Sequence, residues 1–233
     1  MKMSRGELFL IAGDPGSRSR GKDPLLAGIF SRLGMVAPAV AYIGAASKDS
    51  RLFFMWLAGL LKKAGAGSVR LVPLASRSAD PAKARALLAG SDVLFVSGGD
   101  VEFGMGILEE KGLPPLFAEL HGAGTPCIGL SAGSIMLARA WVRWADPDDE
   151  TTAEKFSCLG LAPVFCDTHA EKDDWRELET LLRLAAPESG FGIPSGAALH
   201  IASDGSLSAL GKSVPCFNYR EGRLLRRADL NPD

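Results

Sequence analysis

Seven apolar runs of strand length, at residues 8–12, 40–45, 69–74, 93–96, 127–130, 163–166 and 197–201, dictate the architecture open to this chain. Helical patterns separate most of them. Asp23-Pro24 and Asp80-Pro81 each read as an N-cap followed by proline in the first helical turn. Residues 49–63 are apolar over much of their surface, and in residues 175–184 Leu178, Leu181, Leu182 and Leu184 fall on one face. Alternation of this kind predicts an α/β fold, a three-layer sandwich of one mostly parallel sheet with helices on both faces. Short alternating runs from Ser206 to Leu225, with turns at Asp204-Gly205 and Glu221-Gly222, predict antiparallel strands that close the sheet. No repeat or low-complexity linker interrupts the pattern, so residues 1–233 are expected to form a single domain.

Composition narrows the function. A net charge of −1 gives no basic stripe for nucleic acid or an anionic membrane surface, which favours a small-molecule or peptide substrate. The run at residues 8–12 is too brief for a signal-peptide core or a membrane span, so a soluble cytoplasmic protein is expected. Cys127, Cys158, Cys166 and Cys216 form no C-x-x-C pair and read as buried free thiols. Since no His, Cys and Asp cluster has ligand spacing, neither a metal nor an organic cofactor is expected. A homo-oligomer is compatible with the sequence.

The segment Gly129-Leu130-Ser131-Ala132-Gly133-Ser134 carries the chemistry. It follows a short apolar strand and precedes a helical run, which places Ser131 on a sharp strand-to-helix turn with small neighbours, the setting of a nucleophilic serine. Amides and the positive dipole end of the following helix would favour negative charge there. The same run also fits a tight turn whose hydroxyl merely caps the helix.

A serine hydroxyl needs a base. Of the three histidines, His121 ends a helical segment and His200 lies within an apolar strand; both read as structural. His169, in Cys166-Asp167-Thr168-His169, follows a strand directly and should emerge at a C-terminal strand edge, where ligand sites of open parallel sheets gather. As an alternative it is a polar loop residue. Asp146, Asp148, Asp149, Glu150 and Asp167 are all plausible orienting carboxylates. Ser131 and His169 lie only 38 residues apart, which disfavours the α/β-hydrolase fold. Residues 92–100 form a strand running into Gly98-Gly99, whose amides could join that of Ala132 at an oxyanion site or could simply form a turn.

Taken together, residues 95–100, Gly129-Leu130-Ser131-Ala132-Gly133 and Asp167-Thr168-His169 resemble the dipeptidase E and cyanophycinase family of serine peptidases. The resemblance implies a class I glutamine amidotransferase-like fold with serine as nucleophile, and it runs from about Leu8 to Gly211. It assigns Ser131 as nucleophile and His169 as base. Asp146, fifteen positions after Ser131, matches the family's acidic member by ungapped spacing. The expected function is hydrolysis of a peptide or isopeptide bond in a small, aspartyl-containing peptide through an acyl-enzyme. Two features depart from the family: Ser195 stands where relatives often carry an acidic residue after the Gly-Ile-Pro turn, and Val101 follows Gly-Gly-Asp.

Two readings compete. Gly16-Ser17-Arg18-Ser19-Arg20-Gly21-Lys22-Asp23 nearly fits a P-loop, but Asp23 replaces the hydroxyl that would bind magnesium and reads better as the N-cap before Pro24. The other is a catalytically silent small-ligand-binding protein of the same fold.

Overall fold

The computed structural model describes residues 5–13, 21–146 and 148–232. In chain order the elements are β1 (Leu8–Ile11), α1 (Pro24–Leu33), β2 (Ala39–Ile43), α2 (Arg51–Ala64), β3 (Ser68–Val72), α3 (Pro81–Ala89), β4 (Val93–Val96), α4 (Val101–Glu110), α5 (Pro114–Gly122), β5 (Cys127–Leu130) and α6 (Ala132–Leu137). They continue with β6 (Ala140–Trp144), β7 (Ala153–Ser157), β8 (Phe165–Thr168), α7 (Arg176–Ala185), β9 (Ser189–Ile193), β10 (Ala198–Ile201), β11 (Leu207–Leu210), β12 (Cys216–Arg220) and β13 (Arg223–Arg226).

The main sheet has seven strands in the order β11-β10-β1-β5-β4-β2-β3. Strands β1, β5, β4, β2 and β3 run parallel, and β10 and β11 add an antiparallel edge. Burial follows the pleat. Along β1, Phe9 and Ile11 join Leu26, Ile29, Leu57 and Leu61 of α1 and α2 on one face, while Leu8 and Leu10 join Leu108, Phe117 and Met136 of α4, α5 and α6 on the other. Strands covered on both sides must be apolar at every position, which is why the sequence shows unbroken rather than alternating runs. The helix starts obey the cap rules: Asp23 Oδ1 accepts from Leu26 N at 2.9 Å, and Asp80 Oδ1 from Ala82 N at 2.8 Å. Asp23 is thereby accounted for as a cap, while Gly16 to Arg20 of the P-loop-like run lie outside the described residues.

Three expectations need correction. The C-terminal strands do not all close the main sheet, because β12 and β13 pair with β9 and β8 in a separate four-stranded sheet, β13-β12-β9-β8. Its core is Phe165, Leu178, Leu181, Leu182 and Phe217 under α7. Leu184 leaves the buried stripe of α7 and is 40% exposed. The chain after Ser131 is helical only to Leu137 and then forms the hairpin β6–β7, an antiparallel pair in which Trp141 faces Phe156.

Candidate active site

The parallel strands β1, β2, β4 and β5 end at one edge, and the turns after them meet there. Ser131, directly after β5, has φ 52° and ψ −120°, a conformation that non-glycine residues avoid at a cost of roughly 1–3 kcal/mol. Its backbone N donates to Ile11 O at 2.8 Å, which fixes the turn to β1. The flanking glycines let α6 lie directly on the sheet. A Cβ at Gly133 would stand 2.1 Å from Val96 O, and one at Gly129 would stand 2.7 Å from Ser134 N.

The hydroxyl of Ser131 makes no helix-capping hydrogen bond, which removes the capping alternative. Instead its Oγ lies 2.8 Å from His169 Nε2. His169 follows β8 with φ 48°, and its backbone N donates to Ile193 O of β9 at 2.9 Å. The second sheet therefore delivers the imidazole, and the main sheet delivers the serine. With six residues, α6 is too short for much of a macrodipole, so anion stabilisation falls to individual amides. Among the described residues the N–H groups of Gly98, Gly99 and Ala132 have no acceptor. Gly98 packs beside the nucleophile, since a Cβ there would lie 3.3 Å from Ser131 Cβ.

Asp146 is not brought to His169. The β6–β7 hairpin carries it into an exposed turn, where Thr152 Oγ1 receives its N–H at 3.0 Å and its Oδ1 accepts from Asp148 N at 3.0 Å. Ungapped spacing could not anticipate a hairpin that folds the acidic segment back on itself. Asp148 shares that turn, Asp149 caps it through Thr151, and Glu150 pairs with Arg176. Asp167 is buried beside the site, with Oδ1 accepting from Thr168 N at 2.7 Å and Oδ2 without a partner.

Glu171 stands two residues after His169, and the His169 charge is one of the influences that favour its ionised form. Partial burial works against its ionisation, yet its own amide, that of Ser195 and the His169 charge hold it below the usual glutamate range. Glu171 Oε1 accepts from Ser195 N at 2.8 Å. The spacing His169-Ala170-Glu171 was the available sequence signal.

Ser131, His169 and Glu171 open onto a cleft of about 780 Å³. Phe53 and Trp56 of α2, stacked with ring centroids 5.7 Å apart, form its apolar wall, and Lys172, Ser47, Ser50 and Ser195 add polar groups. Of these only Ser195 was singled out by sequence; for Phe53 and Trp56 the apolar character of α2 was the cue. The other two histidines are elsewhere. His200 stacks on Phe9 and lies 2.8 Å from Glu7 Oε2, and His121 is buried at the end of α5 with its pKa lowered by burial and by Arg5. All four cysteines are free, Cys158 and Cys216 only partly covered, and burial raises the thiols of Cys127 and Cys158 to about 12. No helix of the described residues is long and apolar enough to cross a membrane.

Comparison with known proteins follows the same lines. The model of peptidase family S51 matches residues 8–208. A crystal structure of a peptidase from an acI-B1 Actinobacterium aligns at TM-score 0.73 with 17% identity, covering 99% of this chain and 98% of that one. A putative peptidase E protein from Listeria monocytogenes EGD-e aligns at TM-score 0.62 with 19% identity, covering 88% of this chain and 98% of that one. No curated protein sequence matches.

Proposed function

This chain belongs to peptidase family S51, the dipeptidase E family, and from that premise we propose that this serine peptidase cleaves small aspartyl-containing peptides through an acyl-enzyme formed on Ser131. The observation that carries the reading is the 2.8 Å contact between Ser131 Oγ and His169 Nε2 at a strained strand-to-helix turn. In it, His169 takes the hydroxyl proton as Ser131 Oγ attacks the peptide carbonyl, and returns that proton to the leaving amine. Developing negative charge on the carbonyl oxygen is received by the amides of Ala132 and of Gly98 or Gly99. Water then enters and attacks the acyl carbon as His169 takes one of its protons, and His169 returns that proton to Ser131 Oγ as the ester bond breaks and the acid leaves.

Glu171 takes the acidic role in place of Asp146. Its carboxylate acts on the imidazolium that forms during attack, and the Ser195 amide holds it in position. Lys172 and the hydroxyls of Ser47 and Ser50 suit an aspartyl carboxylate in the large cleft, while Phe53 and Trp56 give it an apolar wall. A fluorophosphonate probe tests the nucleophile: it should modify the native protein at Ser131 and leave Ser131→Ala unlabelled. Failure to label the folded wild-type protein would overturn the assignment.

A further inference from the structure

Between β9 and β10 the chain crosses from the four-stranded sheet to the main sheet, at the turn Pro194-Ser195-Gly196-Ala197. Ala197 N donates to Pro194 O at 2.9 Å and closes it. The turn lies between the anchors of both reacting side chains. On one side Ile193 O holds the amide of His169. On the other, Ala197 O accepts from Ala12 N at 3.2 Å, next to the Ile11 carbonyl that holds the amide of Ser131. Gly13 brings the end of β1 so close that a Cβ there would stand 3.1 Å from Ser195 Cα. The conformation of these four residues therefore bears on where His169 stands relative to Ser131.

Local chemistry leaves the turn underdetermined. Gly196 has φ 84°, as at the third position of a type II turn, and glycine accepts either orientation of the Ser195–Gly196 peptide at little cost. Contacts from outside decide between them. The return crossing, between β11 and β12, lays Gly211 and Lys212 against the turn: a Cβ at Gly211 would stand 2.4 Å from Gly196 O, and one at Gly196 would stand 3.3 Å from Lys212 Cε. With no side chain at Gly196 in its way, the lysine stem crosses the turn, and Nζ donates to Ser195 O at 2.6 Å. Ser195 is thus gripped at its carbonyl by an ammonium and at its amide by the Glu171 carboxylate. Hydrogen bonds with one charged partner are the strong ones, and both grips are of that kind. Lys212 does not line the cleft that holds Ser131; it lines a separate one of about 730 Å³, together with Glu171 and Pro194.

We propose that Lys212 is a positioning residue for the hydrolysis: its ammonium fixes the Ser195 turn, the turn fixes Glu171, and Glu171 fixes the imidazole against Ser131. The inference rests on the peptidase reading, with Glu171 as its acidic member. Lys212 touches no reacting atom, and its influence runs wholly through two hydrogen bonds at one residue.

The second-order rate of fluorophosphonate capture at Ser131 reads that influence without a chosen substrate. Lys212→Met keeps an apolar stem over Gly196 and removes the ammonium. It should slow capture about fivefold, since small displacements of reacting groups are costly, while the melting temperature stays close to that of the wild type. Lys212→Arg, which keeps a charged donor, should regain most of the lost rate. In a Glu171→Gln background, Lys212→Met should slow capture by less than about twofold, because the route it acts through is already cut. A merely structural lysine would cost the same in both backgrounds. Equal loss in the two backgrounds, no loss in Lys212→Met, or no recovery in Lys212→Arg overturns the proposal. Absent labelling of the folded wild-type protein removes the peptidase reading itself, so the two failures are separately visible.

Discussion

Glu171 Oε1 accepts a hydrogen bond from the backbone N of Ser195 at 2.8 Å. The contact ties the loop after β8 to the turn after β9, the place where relatives often carry an acidic residue and this chain has Ser195. A carboxylate is thus present at that turn although the sequence position lacks one.

Glu171→Gln should lower kcat at least about tenfold with little change in KM, because an orienting carboxylate acts on the imidazolium rather than on substrate. Glu171→Asp should recover part of the loss. Asp146→Asn should leave both constants within about twofold, as befits an exposed turn charge. Steady-state kinetics on one aspartyl dipeptide reads all three variants, and a kcat loss in Asp146→Asn equal to that of Glu171→Gln would return the role to Asp146.

Lys172→Gln should raise KM about tenfold for peptides with an aspartyl side chain and much less for their asparaginyl counterparts, since a positive charge in a cleft discriminates by charge. Phe53→Ala should raise KM for both alike. Equal effects of Lys172→Gln on the two peptide series would remove the aspartyl reading of the large cleft.

Asp167 should make stability fall with rising pH. Its folded pKa, about 7, lies above its unfolded value near 3.8, so between those values the unfolded chain gives up a proton that the native protein keeps. Folding then loses stability progressively from about pH 4 to pH 7. Asp167→Asn should accordingly exceed the wild type by more at pH 8 than at pH 5, by up to a few kcal/mol, since each tenfold difference in proton affinity between the folded and unfolded chain is worth about 1.4 kcal/mol. Urea unfolding at the two pH values measures the difference, and a pH-independent gap would contradict the raised value.

Gly133→Ala should destabilise the protein by about 3 kcal/mol or more, because the new methyl group meets Val96 O at 2.1 Å and backbone rather than a side-chain tip must move. Gly106→Ala, on α4 with open space around it, is the control and should be neutral or slightly stabilising. Denaturant midpoints compare them.

What the sequence made legible has a physical boundary. Strands buried on both faces of the main sheet announce themselves as apolar runs, and Asp23-Pro24 and Asp80-Pro81 mark helix starts because cap and proline chemistry is local. Ser131 and His169 were readable for the same reason: each sits immediately after a strand. The hairpin β6–β7 was not, because its strands are half exposed, carry Arg143 and Glu154 opposite each other, and lack a tight glycine turn. That omission also displaced Asp146, whose location depends on the hairpin's turn. Glu171 stood within reach, two residues after His169, but its tie to Ser195 joins the loop after β8 to the turn after β9, a property of no single segment.

Because the nucleophile rides on the seven-stranded sheet and the imidazole on the four-stranded one, the gap between Ser131 and His169 gauges how the two halves of the molecule are seated. A substitution under α7, such as at Phe217 or Leu178, can silence the hydrolase by letting one sheet ride up on the other while every reacting group keeps its own conformation. The rate at which a fluorophosphonate captures Ser131 thereby becomes an ångström-scale ruler for packing far from the serine.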